Sequence, residues 1–97
     1  MCAIEAGNRG RSVLVIERNE RVGKKILISG GGRCNFTNVH AADPSRYLSR
    51  NPRFARQALA SYPPQRFVSL LRRHRIGFHE KHRGQLFCDD SSQRIID

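Results

Sequence analysis

The sequence predicts an α/β domain, and three observations carry that expectation. A short helical opening, Met1 to Gly7, leads through a turn into the apolar run Val13-Leu14-Val15-Ile16. That run closes on an acid, Glu17, and is followed by a glycine-rich basic stretch from Arg18 to Asn38. Further on, a helical pattern at residues 63–76 precedes two short apolar segments around Arg83-Gly84. Helix, turn and doubly apolar strand in that order are the parts of a parallel sheet covered by helices.

The opening segment holds Ala3, Ile4 and Ala6, small enough for close packing on a sheet. Gly7 and Gly10 are its candidate terminators, and Arg9 and Arg11 suit the negative end of its dipole. Ser12 to Glu17 reads as a strand buried on both faces, because four consecutive apolar residues are too few for a buried helix. Between Ala41 and Ser61 helical fragments are expected to break at Pro44 and Pro52. Pro63-Pro64 opens a better helix with Phe67, Val68, Leu70 and Leu71 on its apolar side, and Gly77 is its expected end. Phe78-His79-Glu80 and Leu86-Phe87-Cys88 read as two short strands joined by the Arg83-Gly84 turn. Asp90-Ser91-Ser92 is expected to cap a last helix beginning at Gln93.

Composition narrows the function classes. A chain of 97 residues that is 38 % hydrophobic forms one domain at most, with a small core. Eighteen Lys and Arg against eight Asp and Glu leave a charge of +10, which suits phosphorylated ligands or polyanions. The charge is spread from Arg9 to Arg94 rather than gathered, as on a solvated surface, so nucleic acid is not the expected partner. The three cysteines, Cys2, Cys34 and Cys88, form no C-x-x-C pair. With no secretory leader pattern, they read as free thiols of a cytoplasmic protein. No apolar run reaches the length of a membrane span. His74, His79, His82 and Cys88 match no common zinc spacing, and no metal site is expected.

Two constellations carry candidate chemistry. Glu17, ending an apolar strand after a helix, stands where a dinucleotide-binding βαβ unit places the acid that accepts ribose hydroxyls. The same residue also fits the bland role of a surface acid at a strand end. The second constellation is Ser29-Gly30-Gly31-Gly32-Arg33-Cys34-Asn35-Phe36-Thr37-Asn38. Three consecutive glycines lose much backbone freedom on ordering, so they suit a bend needing positive φ or a close approach to a ligand. Bare amides in such a bend gather around anionic oxygens, and Arg33 adds a forked cation. Ile26-Leu27-Ile28 and Phe36 would anchor the loop at both ends, unlike a flexible linker. Cys34 reads as a buried structural thiol, since no partner lies near it in sequence.

The stretch from Arg18-Asn19-Glu20-Arg21-Val22-Gly23-Lys24-Lys25 through Ser29 into Gly-Gly-Gly-Arg-Cys-Asn-Phe-Thr-Asn resembles the aminoacetone-oxidase-like family of bacterial FAD-binding, NAD(P)/FAD-dependent oxidoreductases, part of the glutathione-reductase-like group. His79-Glu80-Lys81 and Gly84 to Cys88 resemble a later segment of the same family. The resemblance implies an incomplete Rossmann-type FAD-binding domain, its first strand and Gly-x-Gly-x-x-Gly turn expected before Met1 and its remainder expected beyond Asp97. It implies a flavin-binding part at residues 1–40 and the start of a second, mixed region at 41–97. It implies FAD held by Glu17, Arg18, Lys24, Ser29, Gly30, Gly31, Gly32, Arg33, Cys34, Asn35 and Thr37, with hydride exchanged between the flavin and NAD(P)H or a small substrate. No catalytic acid or base is assigned, because the flavin carries the redox chemistry. The 97 residues alone are expected to hold FAD weakly or not at all and to be inactive. The alternative from composition is a small basic polyanion-binding module.

Overall fold

The computed structural model describes residues 1–51 and 53–97. Among the described residues there are five short helices and a three-stranded sheet: α1 (Cys2–Asn8), α2 (Lys24–Ile28), β1 (Asn35–Asn38), α3 (Arg56–Ser61), α4 (Pro64–Arg73), β2 (Phe78–Glu80), β3 (Gln85–Cys88) and α5 (Gln93–Ile96). The break expected at Pro52 lies outside the described residues. The one expected at Pro44 falls on a single 3-10 turn, Pro44–Arg46, capped by the Asp43 carboxylate.

The first helix ends as its sequence suggests. Gly10 takes φ 71°, the Gly10 N–H reaches the Gly7 carbonyl and the Arg11 N–H reaches that of Ala6. This is the Schellman closure that a left-handed glycine permits. The expected strand at residues 12–17 does not form. That segment is irregular and open to solvent, with Leu14 and Ile16 both 85 % exposed. A strand exists only through hydrogen bonds to a neighbour. The described strands pair among themselves, and none lies beside Val13–Ile16.

The sheet that does form is antiparallel, in the order β1-β3-β2. The turn expected at Arg83-Gly84 joins β2 to β3, with Phe78 opposite Cys88 and Glu80 opposite Leu86. β1 was not expected: Asn35 to Asn38 is polar and adjoins the glycines, yet it pairs with Gln85–Phe87 across an irregularity between Asn35 and Thr37. One sheet face packs on α4. Phe36 meets Phe67 at 5.6 Å and Phe78 edge-on at 5.7 Å, and Leu71 is 2 % exposed. Such tilted and edge-on pairs are the favourable aromatic arrangements.

α4 begins at Pro64 as expected, but Gly77 does not end it. Arg75 takes the left-handed conformation, φ 56°, and the Ile76 N–H closes on the Leu71 carbonyl. A residue with a side chain does here what a glycine does after α1. At α5, Ser91 rather than Ser92 accepts the Gln93 N–H. The buried hydrophobic set is small: Cys34, Leu71, Leu86, Phe87 and Cys88. The radius of gyration, 14.9 Å, exceeds the about 12.5 Å of a compact chain this long. The packing is therefore loose outside the sheet and α4.

Candidate functional site

The glycine loop is the most constrained backbone in the chain. Gly30, Gly31 and Gly32 take φ of 57°, 66° and 85°, and Cys34 follows at 50°. Left-handed residues in series curl the chain so sharply that only glycine sustains the run. The three glycines are needed for different reasons. A Cβ on Gly30 would lie 2.6 Å from the Asn35 nitrogen and 2.8 Å from Cε1 of Phe87. A Cβ on Gly31 would meet nothing within 4 Å, and one on Gly32 only the Leu27 carbonyl at 3.9 Å. Gly30 therefore makes room for the protein itself, whereas the Cβ positions of Gly31 and Gly32 are open.

The rest of the chain clamps this loop from behind. Ser92, 1 % exposed, donates its N–H to the Gly32 carbonyl at 2.8 Å and its hydroxyl to that of Leu27 at 3.0 Å. The Cys88 N–H donates to the Arg33 carbonyl at 2.9 Å, and the Cys34 N–H closes the loop onto Ser29 at 3.0 Å. Ser29 also ties its hydroxyl to the Ile26 carbonyl, finishing α2. Five carbonyls in and around the loop, those of Ile26, Leu27, Ser29, Gly32 and Arg33, thus have fixed partners. Sequence reasoning treated Ser92 only as part of a helix cap. A serine beside a cap, next to the equally suited Ser91, gives no signal of such a role.

Among the expected site residues, the structure gathers some and separates others. Arg18 and Lys24 line one open groove with Arg21, Leu27 and Ile28, directly before the glycine loop. Arg33 is exposed at the loop's end, Cys34 is buried, and Asn35 and Thr37 belong to β1, where they face Phe87 and Leu86. Glu17 stands fully in solvent. The Asn19 N–H and side-chain amide both donate to Glu17 Oε1 and hold its carboxyl below the usual value. Its Oε2 has no partner among the described residues, so acceptor capacity remains for a hydroxyl ligand. Glu17, the glycine loop and the cations Arg18, Lys24 and Arg33 are groups of the kind a dinucleotide uses, but the strand expected to carry Glu17 to its ribose-binding position is not formed.

The thiols belong to the packing. Cys34 is 6 % exposed and Cys88 fully buried. Burial first, and then neighbouring Cys34, Asp89 and Asp90, push the Cys88 thiol up to about 11. The folded protein thus holds that proton more tightly than the unfolded chain. The associated stability is fully present below pH 9 and is lost as pH rises towards 11. We expect the urea midpoint to fall across that window, and to fall less in Cys88→Ala. At pH 8, brief iodoacetamide treatment of the native protein should modify Cys2 alone, as peptide mass mapping would show. Among the described residues no three His, Cys, Asp or Glu side chains converge as a metal would need, and no helix is long and apolar enough to cross a membrane.

Comparison with known proteins shows the family of the chain. The family described as "HI0933-like protein Rossmann domain" matches residues 1–97. The chain is 52 % identical over 96 residues to "Ribosomal RNA dihydrouridine synthase" of Escherichia coli (strain K12), covering 99 % of this chain and 24 % of that protein. It is 46 % identical over 96 residues to the protein of the same name from Haemophilus influenzae, again across 99 % of this chain and 24 % of the relative. Fifty residues, 52 % of the chain, are 48 % identical to "3-dehydro-bile acid delta(4,6)-reductase" of Clostridium scindens and cover 12 % of that protein. The chain thus spans about a quarter of the length of the first two relatives.

Proposed function

Because this chain belongs to the HI0933-like Rossmann-domain family, we propose that it is the nucleotide-clasping part of a flavin-dependent reductase. The observation that carries the reading is the glycine loop, fixed on its inner side by Cys88 and Ser92 and bare on its outer side at Gly31 and Gly32. Gly31, Gly32 and Arg33 would take the pyrophosphate of FAD, with Lys24 and Arg18 nearby, and Glu17 Oε2 would accept the ribose hydroxyls. Ser29, Gly30, Cys34, Asn35 and Thr37 hold the loop in shape. Residues 1–40 form the nucleotide part and 41–97 the start of a second region, the two joined by the β1–β3 ladder.

Bound there, a flavin supplies the hydride for reduction. The relatives' names point to the acceptor. A dihydrouridine synthase saturates the C5=C6 bond of uridine, conjugated to the C4 carbonyl. A 3-dehydro-bile acid Δ(4,6)-reductase likewise acts on double bonds conjugated to a ketone. The substrate class is therefore a carbon–carbon double bond conjugated to a carbonyl, and the closer relatives favour a uridine of ribosomal RNA. NAD(P)H is the reductant of this reading. The expectation that nucleic acid is not a partner is set aside here on the relatives' names, and not on the net charge of +10, which is spread along the chain.

The test is to isolate the full gene product that carries this chain and identify its nucleotide after denaturation. FAD in near-stoichiometric amount is the expected result. A colourless protein that stays colourless after incubation with FAD would overturn the proposal.

A further inference from the structure

The sheet face turned away from α4 carries a group that the flavin reading leaves unused. His79 and Phe87 are direct partners across β2 and β3, so their side chains leave the same face. Their rings stack with centroids 6.5 Å apart and planes 20° from parallel. The Phe87 ring also borders Gly30, its Cε1 2.8 Å from where a Cβ would stand. One aromatic ring therefore joins the imidazole to the glycine loop. Lys81 holds its Nζ 4.2 Å from the centre of the same ring.

The imidazole is oriented. Its Nδ1 lies 2.7 Å from Asp89 Oδ1, and both side chains are about half-exposed, at 40 % and 47 %. Asp89 is itself placed: its N–H donates to the Gly77 carbonyl, and a Cβ on residue 77 would stand 2.5 Å from Asp89 Oδ2. Gly77, read from sequence as a helix terminator, thus clears space for this carboxylate. An imidazole whose Nδ1–H is given to a carboxylate keeps Nε2 as the position that gains and loses a proton. Asp89 from the end of β3 and Lys81 on the shared face are the charged groups around the ring.

We propose that His79, oriented by Asp89, is the proton donor in the reduction of a double bond conjugated to a carbonyl beside the glycine loop. The proposal rests on the flavin reading above. Saturating such a bond adds a hydride at the β carbon and a proton at the α carbon. The hydride brings both electrons and is accounted for by the reduced flavin. The proton leaves His79 Nε2: the N–H bond breaks, the α C–H bond forms, and its electron pair comes from the enolate. The imidazole is left neutral, its remaining hydrogen on Nδ1 against Asp89. That state is recharged from solvent, to which the ring is open. Asp89 is a positioning residue, since it acts only through the ring.

The test uses the flavin-loaded full gene product with uridine-containing ribosomal RNA as probe. Wild type, His79→Gln, Asp89→Ala and a control, His82→Gln in the exposed β2–β3 turn, are compared. All four are expected to retain flavin after desalting. Nitrogen-detected NMR should show neutral His79 carrying its hydrogen on Nδ1 in the wild type and on Nε2 in Asp89→Ala. Anaerobic re-oxidation of the reduced flavin by the RNA should slow by about 10²–10⁴-fold in His79→Gln and stay unchanged in the control. Re-oxidation at the wild-type rate in His79→Gln would overturn the inference and leave the flavin reading standing, as would a wild-type neutral imidazole protonated on Nε2. A wild type that takes up no flavin would overturn the flavin reading, and this inference with it.

Discussion

Replacing Gly30 with alanine should remove a large part of the protein's stability, whereas the same change at Gly31 should be tolerated. At Gly30 the new methyl would stand 2.6 Å from the Asn35 nitrogen and 2.8 Å from the Phe87 ring. The first is backbone, pinned in β1, and cannot retreat without breaking the ladder to β3. To this overpacking, about 1–3 kcal/mol, is added the left-handed strain of a side chain at φ 57°, about 1–2 kcal/mol. A combined loss of about 2–5 kcal/mol is a large part of the about 5–15 kcal/mol that holds a small domain together. At Gly31 only the strain applies, because its Cβ position is open. Urea unfolding of the two variants checks the contrast. Equal midpoints would mean that the loop is not packed as described.

Phe87→Ala should be comparably severe for the opposite reason. Phe87 is 7 % exposed and lies among Gly30, His79 and the Lys81 ammonium. Emptying such a site costs about 3–5 kcal/mol in lost transfer and cavity terms. The two substitutions should also couple. With the ring gone, alanine at position 30 clashes only with the Asn35 nitrogen, so the double variant should lose less than the sum of the singles. Strict additivity in a double-mutant cycle would sever the link between ring and loop.

What the sequence revealed, and what it hid, follows from the range of the forces involved. α1 and its Schellman end, the start of α4, and the β2–β3 hairpin rest on signals within a few residues: Gly10, Pro64 and the Arg83-Gly84 turn. The positive φ of the glycine loop was legible for the same reason, as a run of three consecutive left-handed residues calls for glycine. β1 was hidden, because Asn35–Asn38 has no strand composition and is held by its partner β3 far along the chain. Val13–Ile16 erred in the other direction: its composition is that of a strand, but pairing is a property of two segments. The end of α4 at Arg75 was missed because nothing in a basic side chain announces φ 56°. In the candidate site, the left-handed bend of the glycines could be read from their chemistry. The clamp by Ser92 and the His79–Asp89 contact could not, since each depends on segments brought together only by the fold.

The backward ties of the loop also set an order of events at the ribosome. Gly32 and Arg33 emerge first, and the amides of Ser92 and Cys88 that hold them follow only later. Until then the tri-glycine segment is a free chain, and its curl cannot persist against the entropy of three unrestrained glycines. A nascent polypeptide halted before Cys88 should therefore leave this loop without its curl.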